Sequence, residues 1–443
     1  MAKSLFDEVR SEQNIFSAWR HVKRSALTSG NSSIRGEASE FEHEHQKHLF
    51  RLITQLREGR FKFQPVQGVL KDKQKRLAQS KPPRPIAIAK LQDRVVQRAI
   101  LQVLQPRFLR DPKDPNSRSN TKLDSRLGRI NDVNRSKYGV GGLIHPYGGV
   151  RPAIEAIMTA IDNGAKYFYQ SDIRSFFTDI PTDNVVSFVR HETRDDALAD
   201  LFAKALEVRL GNPDELKGYA HLFPNNGIGV AQGASLSALA GNILLFELDH
   251  ALNNMGVTSI RYIDDILMVS DQEASLNQAI SLAETTLSGF GFGLYSANDG
   301  SGKAERGECS NAINFLGCTI QPKRCVPSKQ SIENMKKGVN EALSNSKAAI
   351  KEAVRKGGGL DPKLSHSGTL ESIGKRLYGW QKSFAFCTEP TQFQHLDDFV
   401  SERVSDYQSI VERTLRNTSV SLRMLIYGIP STKEMFEASH KGY

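Results

Sequence analysis

The spacing of apolar and polar positions predicts helices at the two ends of the chain and strands in its middle. Up to about residue 60, and again in 332–356 and 370–383, apolar side chains recur every three to four positions, as on one face of an amphipathic helix. Around 259–269, two shorter runs alternate apolar and polar residues, which is typical of half-buried strands, and a helical segment is expected at 184–210. This pattern predicts an α+β fold.

Two of these alternating runs meet at adjacent carboxylates, Asp264 and Asp265. The residues on both sides, 259–263 and 266–269, are largely apolar and β-branched, so we predict a hairpin with the Asp pair at its tip. A carboxylate is tolerated in such surroundings when it is paired or coordinates a metal, and the pair therefore indicates a divalent cation. An ordinary solvated turn is the commoner interpretation of the dipeptide alone. The neighbouring motifs decide between the two.

A third carboxylate, Asp172, ends an aromatic strand that begins at Tyr167 and is followed by the start of a helix. Between this strand and the hairpin, residues 229–242 contain Gln232-Gly233 and form a glycine-bearing loop that runs into a helix of small residues. Such loops let a backbone approach a nucleotide closely. In this order the motifs suit two-metal phosphoryl transfer, in which two Mg²⁺ ions about 3.5–4 Å apart share bridging carboxylates.

Composition agrees with a polyanionic partner. The 443 residues include 59 Lys and Arg against 49 Asp and Glu, a formal charge of +10. Between positions 71 and 110 there are eleven basic and two acidic residues. Such a run is usually a solvated face, and contact with the phosphates of a nucleic acid is the alternative. The residues expected to bind nucleic acid are Lys71, Lys73, Lys75, Arg76, Lys81, Arg94 and Arg98.

Cysteine usage and hydropathy bear on location. Four cysteines, Cys309, Cys318, Cys325 and Cys387, lack the paired close spacing of a zinc site and are too few for a disulfide framework. The N-terminus has no apolar core of a signal peptide, and the most apolar stretch, 234–248, contains too many polar residues to span a membrane. We therefore expect a reducing, cytoplasmic location and no membrane partner.

In these motifs the chain resembles the prokaryotic reverse transcriptases, the branch that holds group II intron proteins, retron enzymes and the defence-associated or abortive-infection enzymes. The resemblance extends from about Phe61 to Cys318, and a weaker resemblance continues to about Phe386. Arg84–Ala89 followed by 93–100 is similar to the fingers signature. Because the basic run coincides with this signature, the resemblance implies that the run contacts template phosphates and the incoming triphosphate. The segment Phe315-Leu316-Gly317 is similar to the primer-grip hairpin, and Gly379-Trp380 to a thumb-helix motif.

The resemblance implies a right-hand polymerase of the α+β class, with fingers, a ferredoxin-like palm on an antiparallel sheet, and a helical thumb. We expect an N-terminal helical extension at 1–60, fingers at 61–165, the palm with the catalytic carboxylates at 166–321, and a helical thumb or C-terminal domain at 322–443.

The resemblance also implies roles for the metal site. Asp172 and Asp264 would hold two Mg²⁺ ions, with Mn²⁺ as an alternative, and the Ile173 carbonyl would be an additional ligand. Asp265 is the less certain third carboxylate. Lys303 is a candidate general acid for the leaving pyrophosphate, and an ordinary loop lysine is the alternative interpretation.

Further roles concern the nucleotide and the primer. Arg84 would contact the γ-phosphate side, where a planar guanidinium outperforms a point charge, and Gln232, Gly233 and Tyr262 would line the nucleotide pocket. Phe177, five positions after the first Asp, would pack beneath the sugar and leave no room for a 2′-hydroxyl, so the product should be DNA. A core position for Phe177 is the alternative, because Phe176 and Phe177 cannot both face the nucleotide on an extended strand. Phe315, Leu316 and Gly317 would contact the primer strand.

We therefore expect an RNA-directed DNA polymerase that adds dNTPs to a primer on an RNA template. The expected template is a structured, locus-encoded noncoding RNA, and the expected role is phage defence, because the chain has neither an evident endonuclease nor a Val-Thr-Gly segment of the retron kind. An accessory defence protein or a second copy of the chain would be a further partner. Alternatives are a template-independent or protein-primed polymerase, a mobile-element or retron enzyme, and a non-catalytic RNA-binding protein, which the intact carboxylates disfavour.

Overall fold

The computed structural model describes residues 3–78, 81–108, 121–224, 227–300 and 302–440. It divides into two compact units, Met1–Glu308 and Cys309–Tyr443. Each unit combines helices with antiparallel strands, so the α+β class predicted from the sequence is confirmed.

The first unit opens with the helices that the apolar period predicts: α1 (Leu5–Val9), α2 (Glu12–Leu27), α3 (Ser32–His43) and α4 (His45–Arg57). Ser4, Ser11 and Asn31 precede the first three and accept hydrogen bonds from backbone N–H groups of the first turns, which satisfies donors that have no partner within a helix. The buried face of α2 packs mainly against the helix of the fingers signature, Leu91–Leu104.

That signature forms a two-stranded antiparallel ribbon and a helix. The elements of this region are β1 (Gln67–Lys71), α5 (Lys73–Leu77), β2 (Arg84–Ile88), α6 (Leu91–Leu104), β3 (Arg107–Phe108), β4 (Thr121–Lys122), α7 (Ile130–Asn134) and α8 (Val150–Asp162). β1 pairs with β2, and β3 pairs with β4. The basic position Arg110, which the charge count includes, lies outside the described residues.

The rest of the first unit surrounds one four-stranded antiparallel sheet in the order β6-β7-β5-β8. Its elements are β5 (Tyr167–Asp172), α9 (Phe176–Asp179), α10 (Thr182–Thr193), α11 (Asp196–Leu206), α12 (Ser237–Asn253), β6 (Thr258–Tyr262), β7 (Asp265–Ser270), α13 (Glu273–Gly289) and β8 (Ala304–Glu308). The predicted insert at 184–210 is α10 and α11. The antiparallel palm sheet and the hairpin of β6 and β7 are confirmed.

The second unit begins with a three-stranded sheet in the order β11-β10-β9 and continues with helices. Its elements are β9 (Ile313–Phe315), β10 (Cys318–Gln321), β11 (Arg324–Pro327), α14 (Lys329–Lys356), α15 (His366–Ser383), α16 (Thr391–Leu415), α17 (Val420–Tyr427) and α18 (Thr432–His440). The two predicted helices at 332–356 and 370–383 are α14 and α15. Gly357 ends α14 with a φ of 74°, a left-handed conformation that glycine adopts without a steric penalty.

The boundary between the units falls at 308/309, whereas the sequence suggested a palm edge at 321. Strand β11 is tied to the helical part, because the backbone N–H of Thr388 donates to the carbonyl of Cys325 at 2.9 Å. The division into four domains stays a prediction. No helix within the described ranges is long and apolar enough to cross a membrane.

Candidate active site

The sheet register brings the predicted carboxylates together. Asp172, the last residue of β5, lies directly opposite Asp265, the first residue of β7. The two-residue turn Ile263-Asp264 joins β6 to β7, and Tyr262 pairs across the hairpin with Asp265. The backbone N–H of Ile173 donates to the Asp264 carbonyl at 2.7 Å, so the end of β5 and the turn are joined directly.

The turn that carries Asp264 is strained. Ile263 has a φ of 65°, which a β-branched residue rarely adopts and which costs about 1–3 kcal/mol unless its surroundings impose it. Gly141 lies against this turn, and a Cβ there would stand 2.5 Å from the Ile263 nitrogen. The Arg261 guanidinium donates to the Ile263 carbonyl at 2.9 Å. A backbone held in this conformation from two sides fixes the position of the Asp264 carboxylate.

The residue that holds the turn, Arg261, is itself fully buried and paired. Its guanidinium donates to both carboxylate oxygens of Asp249 on α12, at 2.9 and 2.6 Å, and both side chains are almost inaccessible to solvent. Gly139 packs against this pair, because a Cβ there would lie 2.3 Å from the Asp249 Oδ2. This pair was not predicted from the sequence. The available signal was one Arg within an otherwise apolar run.

The electrostatics of the site are those of crowded carboxylates. Burial, a hydrogen bond with Asp172 and the charges of Asp264 and Asp172 raise the pKa of Asp265 to about 8. Burial and the charge of Asp172 also raise the pKa of Asp264, against the opposing charges of Lys303 and Arg84. Three carboxylates that repel one another present the hard oxygen donors that Mg²⁺ prefers. The donor set therefore fits divalent metal ions.

One ammonium group already lies beside these carboxylates. The Lys303 Nζ donates to the Asp172 Oδ2 at 2.7 Å and stands 4.5 Å from the centre of the Tyr295 ring. Burial alone would lower its pKa, but the hydrogen bond and the charge of Asp172 raise the Lys303 pKa above its ordinary value. Arg174 stacks on the same ring at 4.5 Å. Arg174 and Tyr295 were not anticipated, and the general-acid role of Lys303 stays a prediction.

Phe176 and Phe177 lie in a short helix, as the helix start expected after Asp172 implies, and the extended strand assumed for the two rings is wrong. Ser175, with a φ of 52°, precedes α9, which both phenylalanines begin. Phe176 is buried, and Gly241 makes room for it, because a Cβ there would lie 2.5 Å from its ring. Phe177 is half-buried, with its ring edge-on to that of Phe176 at 5.3 Å. Of the two rings, only that of Phe177 is available to a ligand.

Gln232 and Gly233 line a cavity of about 480 Å³ bounded by α2, β2, α6 and the loop before α12. Three basic groups also line it, His21, Arg94 and Arg98, against one acidic residue, Glu207, which pairs with Arg209 at 3.4 Å. Burial lowers the pKa of all three, and Arg94 donates to the Ser25 hydroxyl at 3.2 Å. Within the described ranges, neither guanidinium has a carboxylate within ion-pairing distance, and Asp172, Asp264 and Asp265 do not line the cavity. The cavity suits an anion.

The fingers ribbon concentrates positive charge. Lys71 on β1 lies directly opposite Arg84 on β2, both exposed, and like charges in such cross-strand pairs are destabilising. Between the strands, Lys73 stands 4.8 Å from the Tyr219 ring, and Arg76 donates to the Pro82 carbonyl at 2.7 Å. The remaining predicted contacts of the ribbon, Lys75 and Lys81, are exposed. Phosphate groups would offset this repulsion.

The predicted primer-grip motif forms a tight hairpin in the second unit. Phe315 ends β9 and is buried, and Leu316 and Gly317 make a two-residue turn with φ values of 49° and 79°. Positive φ at both positions matches the twist of paired strands. Gly317 is exposed at the tip, and its carbonyl accepts a hydrogen bond from Ser328 at 2.8 Å. Contact of this hairpin with a primer stays a prediction.

Comparison with known proteins gives one family. The model for the reverse transcriptase (RNA-dependent DNA polymerase) family matches residues 71–320. No curated protein matches the chain.

The solved structures that match are similar over part of their length. A partial Cas6-RT-Cas1–Cas2 complex is 18% identical with a TM-score of 0.34, and the match covers 65% of this chain and 42% of that chain. Telomerase from Candida albicans, in complex with a TWJ fragment of telomeric RNA, is 11% identical with a TM-score of 0.40, covering 82% of this chain and 60% of that chain. Apo telomerase from Candida tropicalis is 11% identical with a TM-score of 0.41, covering 83% and 69%. The chain thus spans less than half of the first of these structures.

Proposed function

This chain belongs to the reverse transcriptase family of RNA-directed DNA polymerases, and from that premise we propose that Asp172, Asp264 and Asp265 form its polymerase site. The observation that carries the proposal is the register of β5, β6 and β7, which sets Asp172 opposite Asp265 and adds Asp264 from a strained turn. Backbone strain of this kind concentrates at functional sites.

The three carboxylates, with the Ile173 carbonyl, would hold two Mg²⁺ ions. Bound there, the ions would supply activation of the primer 3′-hydroxyl and neutralisation of the triphosphate. The chain's own part is to fix the oxygen donors, through the Arg261 contact with the turn and the Ile173–Asp264 hydrogen bond. Mn²⁺ would bind the same oxygen donors.

The charged residues around the carboxylates would bind the nucleotide. Arg84, whose charge acts on Asp264, would contact the γ-phosphate side. Lys303 is held protonated beside Asp172, so it can donate a hydrogen bond or a proton to a phosphate oxygen. Phe177 would pack beneath the sugar and exclude a 2′-hydroxyl, which makes DNA the product. Tyr262 and the backbone of Gln232-Gly233 would complete the pocket.

The basic surfaces would bind the template. Lys71, Lys73, Lys75, Arg76 and Lys81 on the fingers ribbon suit a phosphate backbone. Arg94 and Arg98 in the cavity beside Gln232 would bind a template phosphate close to the templating base. Phe315, Leu316 and Gly317 would contact the primer. We propose a structured, locus-encoded RNA as the template and phage defence in the cytoplasm as the setting, which the resemblance to defence-associated enzymes supports.

Primer extension on an RNA template tests the proposed site. The double variant Asp264→Ala/Asp265→Ala should lose Mg²⁺-dependent incorporation of dNTPs, because the metal ligands are gone, while its circular dichroism stays unchanged. Asp271→Ala removes an exposed carboxylate just beyond β7 and should retain full activity. Undiminished synthesis by the double variant would contradict the assignment.

Sequencing the nucleic acid that co-purifies from cells carrying the native locus tests the template. We expect one abundant noncoding RNA together with its complementary DNA, and we expect the DNA to be absent from the double variant. DNA unrelated to any bound RNA would instead favour untemplated or protein-primed synthesis, and a spliced intron would favour a mobile element.

A further inference from the structure

Three of the four cysteines meet in the second unit, although they are far apart in the sequence. The Sγ atoms of Cys318, Cys325 and Cys387 all lie within 4.8 Å of one another, and those of Cys325 and Cys387 are 3.9 Å apart. Cys318 and Cys325 have no exposed surface, and Cys387 is partly buried. The spacing of the cysteines along the sequence argues against a zinc site, but the fold brings the three thiols together and removes that objection.

The hairpin of β10 and β11 explains the first two positions. Cys318 and Ile320 are two residues apart on β10 and therefore point to the same face of the sheet. Cys325 lies directly opposite Ile320 on β11, so it shares that face with Cys318 as a diagonal neighbour.

The third thiol is held in place by the segment that follows α15. The Thr388 N–H donates to the Cys325 carbonyl, and the Cys325 N–H donates to the Thr388 hydroxyl, both at 2.9 Å. Arg324 adds an ion pair to Glu389 at 2.8 Å. Three contacts in consecutive residues thus fix Cys387 against β11.

The sulfur positions fit the bonds of a metal better than those of a disulfide. With Zn–S bonds of about 2.3 Å in a tetrahedron, two ligand sulfurs lie about 3.8 Å apart. The Cys325–Cys387 separation of 3.9 Å is close to this value, whereas a disulfide requires about 2.05 Å. In the described part of the chain no fourth His, Cys, Asp or Glu joins the group, so a water or an added ligand would complete the coordination.

We propose that Cys318, Cys325 and Cys387 bind a thiophilic metal ion of the Zn²⁺ class. Binding replaces the thiol protons, which pass to solvent, with metal–sulfur bonds. The ion would join the hairpin that carries the Leu316–Gly317 turn to the segment after α15, and would hold that turn in place within the second unit. The site is independent of the carboxylates and does not rest on the proposed polymerase mechanism.

The alternative is that the three thiols are ordinary apolar packing, and Cys309 provides the matched control. It is buried to 1% exposure but belongs to no cluster in the described residues. The full-length protein should be purified without chelators and analysed by mass spectrometry for bound metals. We expect about one Zn²⁺ per chain in the native protein and in Cys309→Ser. In Cys387→Ala we expect the zinc content per chain to fall by roughly tenfold or more.

Two further measurements distinguish the loss of a metal ligand from misfolding of the variant. Cys387→His keeps a metal-ligating side chain and should restore binding that Cys387→Ala loses. Co²⁺ added to metal-free protein should give the visible absorption of a thiolate-bound tetrahedral ion in the native chain and in Cys309→Ser, but not in Cys387→Ala. A native chain that takes up no Zn²⁺ or Co²⁺, or equal binding by Cys387→Ala, would overturn the proposal. A Cys325–Cys387 disulfide in freshly purified protein would overturn it as well.

Discussion

Replacing Asp249 by Asn should strongly destabilise the first unit, although Asp249 is not one of the three carboxylates of the proposed polymerase site. The substitution keeps the size of the side chain but leaves the Arg261 guanidinium buried without its counter-charge. Breaking a buried pair by removing one partner costs about 3–5 kcal/mol, since the remaining charge cannot be hydrated. That loss is a large part of the roughly 5–15 kcal/mol that stabilises a typical protein.

Glu247→Gln provides the matched control on the same helix. Glu247 also pairs with an arginine, Arg129, but both side chains are at least half exposed. An exposed pair of this kind contributes about 0–1 kcal/mol. A double variant, Asp249→Leu/Arg261→Met, removes both charges and should recover much of the stability lost in Asp249→Asn.

The two tryptophans allow the units to be followed separately. In a Trp380→Phe background, the buried Trp19 is the remaining tryptophan and reports on the first unit. Urea unfolding followed by its fluorescence should give a much lower midpoint for Asp249→Asn than for Glu247→Gln. If the urea midpoints of both variants lie equally close to that of the parent, then the buried pair does not stabilise the first unit.

Three further predictions concern other residues. Phe177→Ala should raise incorporation of ribonucleotides relative to deoxynucleotides, as measured by competitive primer extension, because it removes a steric block; unchanged selectivity would place Phe177 in the core. Arg94→Gln/Arg98→Gln should weaken RNA binding and lower the slope of log affinity against log salt by about 0.7 for each lost phosphate contact; an unchanged slope would exclude contact with phosphate. Burial raises the pKa of Asp93 to about 6, so the native state binds more protons than the unfolded state between pH 4 and 6 and loses stability as the pH rises through that range. Asp93→Asn should therefore stabilise the protein by up to about 3 kcal/mol at pH 8 and by little at pH 4, in urea titrations at both values, and equal effects would contradict the argument.

The carboxylates could be predicted because Asp172 ends a strand, Asp265 begins one and Asp264 lies in the turn between two, so local alternation marks their positions. Asp264 and Asp265 also interrupt an apolar run, which few structural residues do. The register of the sheet then brings the carboxylates together, because antiparallel pairing sets Asp172 opposite Asp265.

The supporting contacts could not be predicted, because they join positions that carry no local signal. Arg261 and Asp249 are twelve residues apart, on a strand and a helix, and only the packing of α12 against β6 pairs them. Cys387 is 62 residues from Cys325, so spacing rules that work within one loop could not find the cluster. For Phe177, local periodicity could not distinguish a strand from the single helical turn that Ser175 initiates.

The central claim is that the carboxylates at the ends of β5 and β7 and in the turn between β6 and β7 perform RNA-directed DNA synthesis. Single-turnover extension of a DNA primer on a defined RNA, with Mg²⁺ and all four dNTPs, tests it most directly in Asp264→Asn, which changes the charge of the ligand but not its size. We expect a product complementary to the RNA from the native chain and a rate lower by about a thousandfold in the variant, as the loss of several kcal/mol of metal-dependent stabilisation requires. A complementary product made at the native rate by Asp264→Asn would contradict the account.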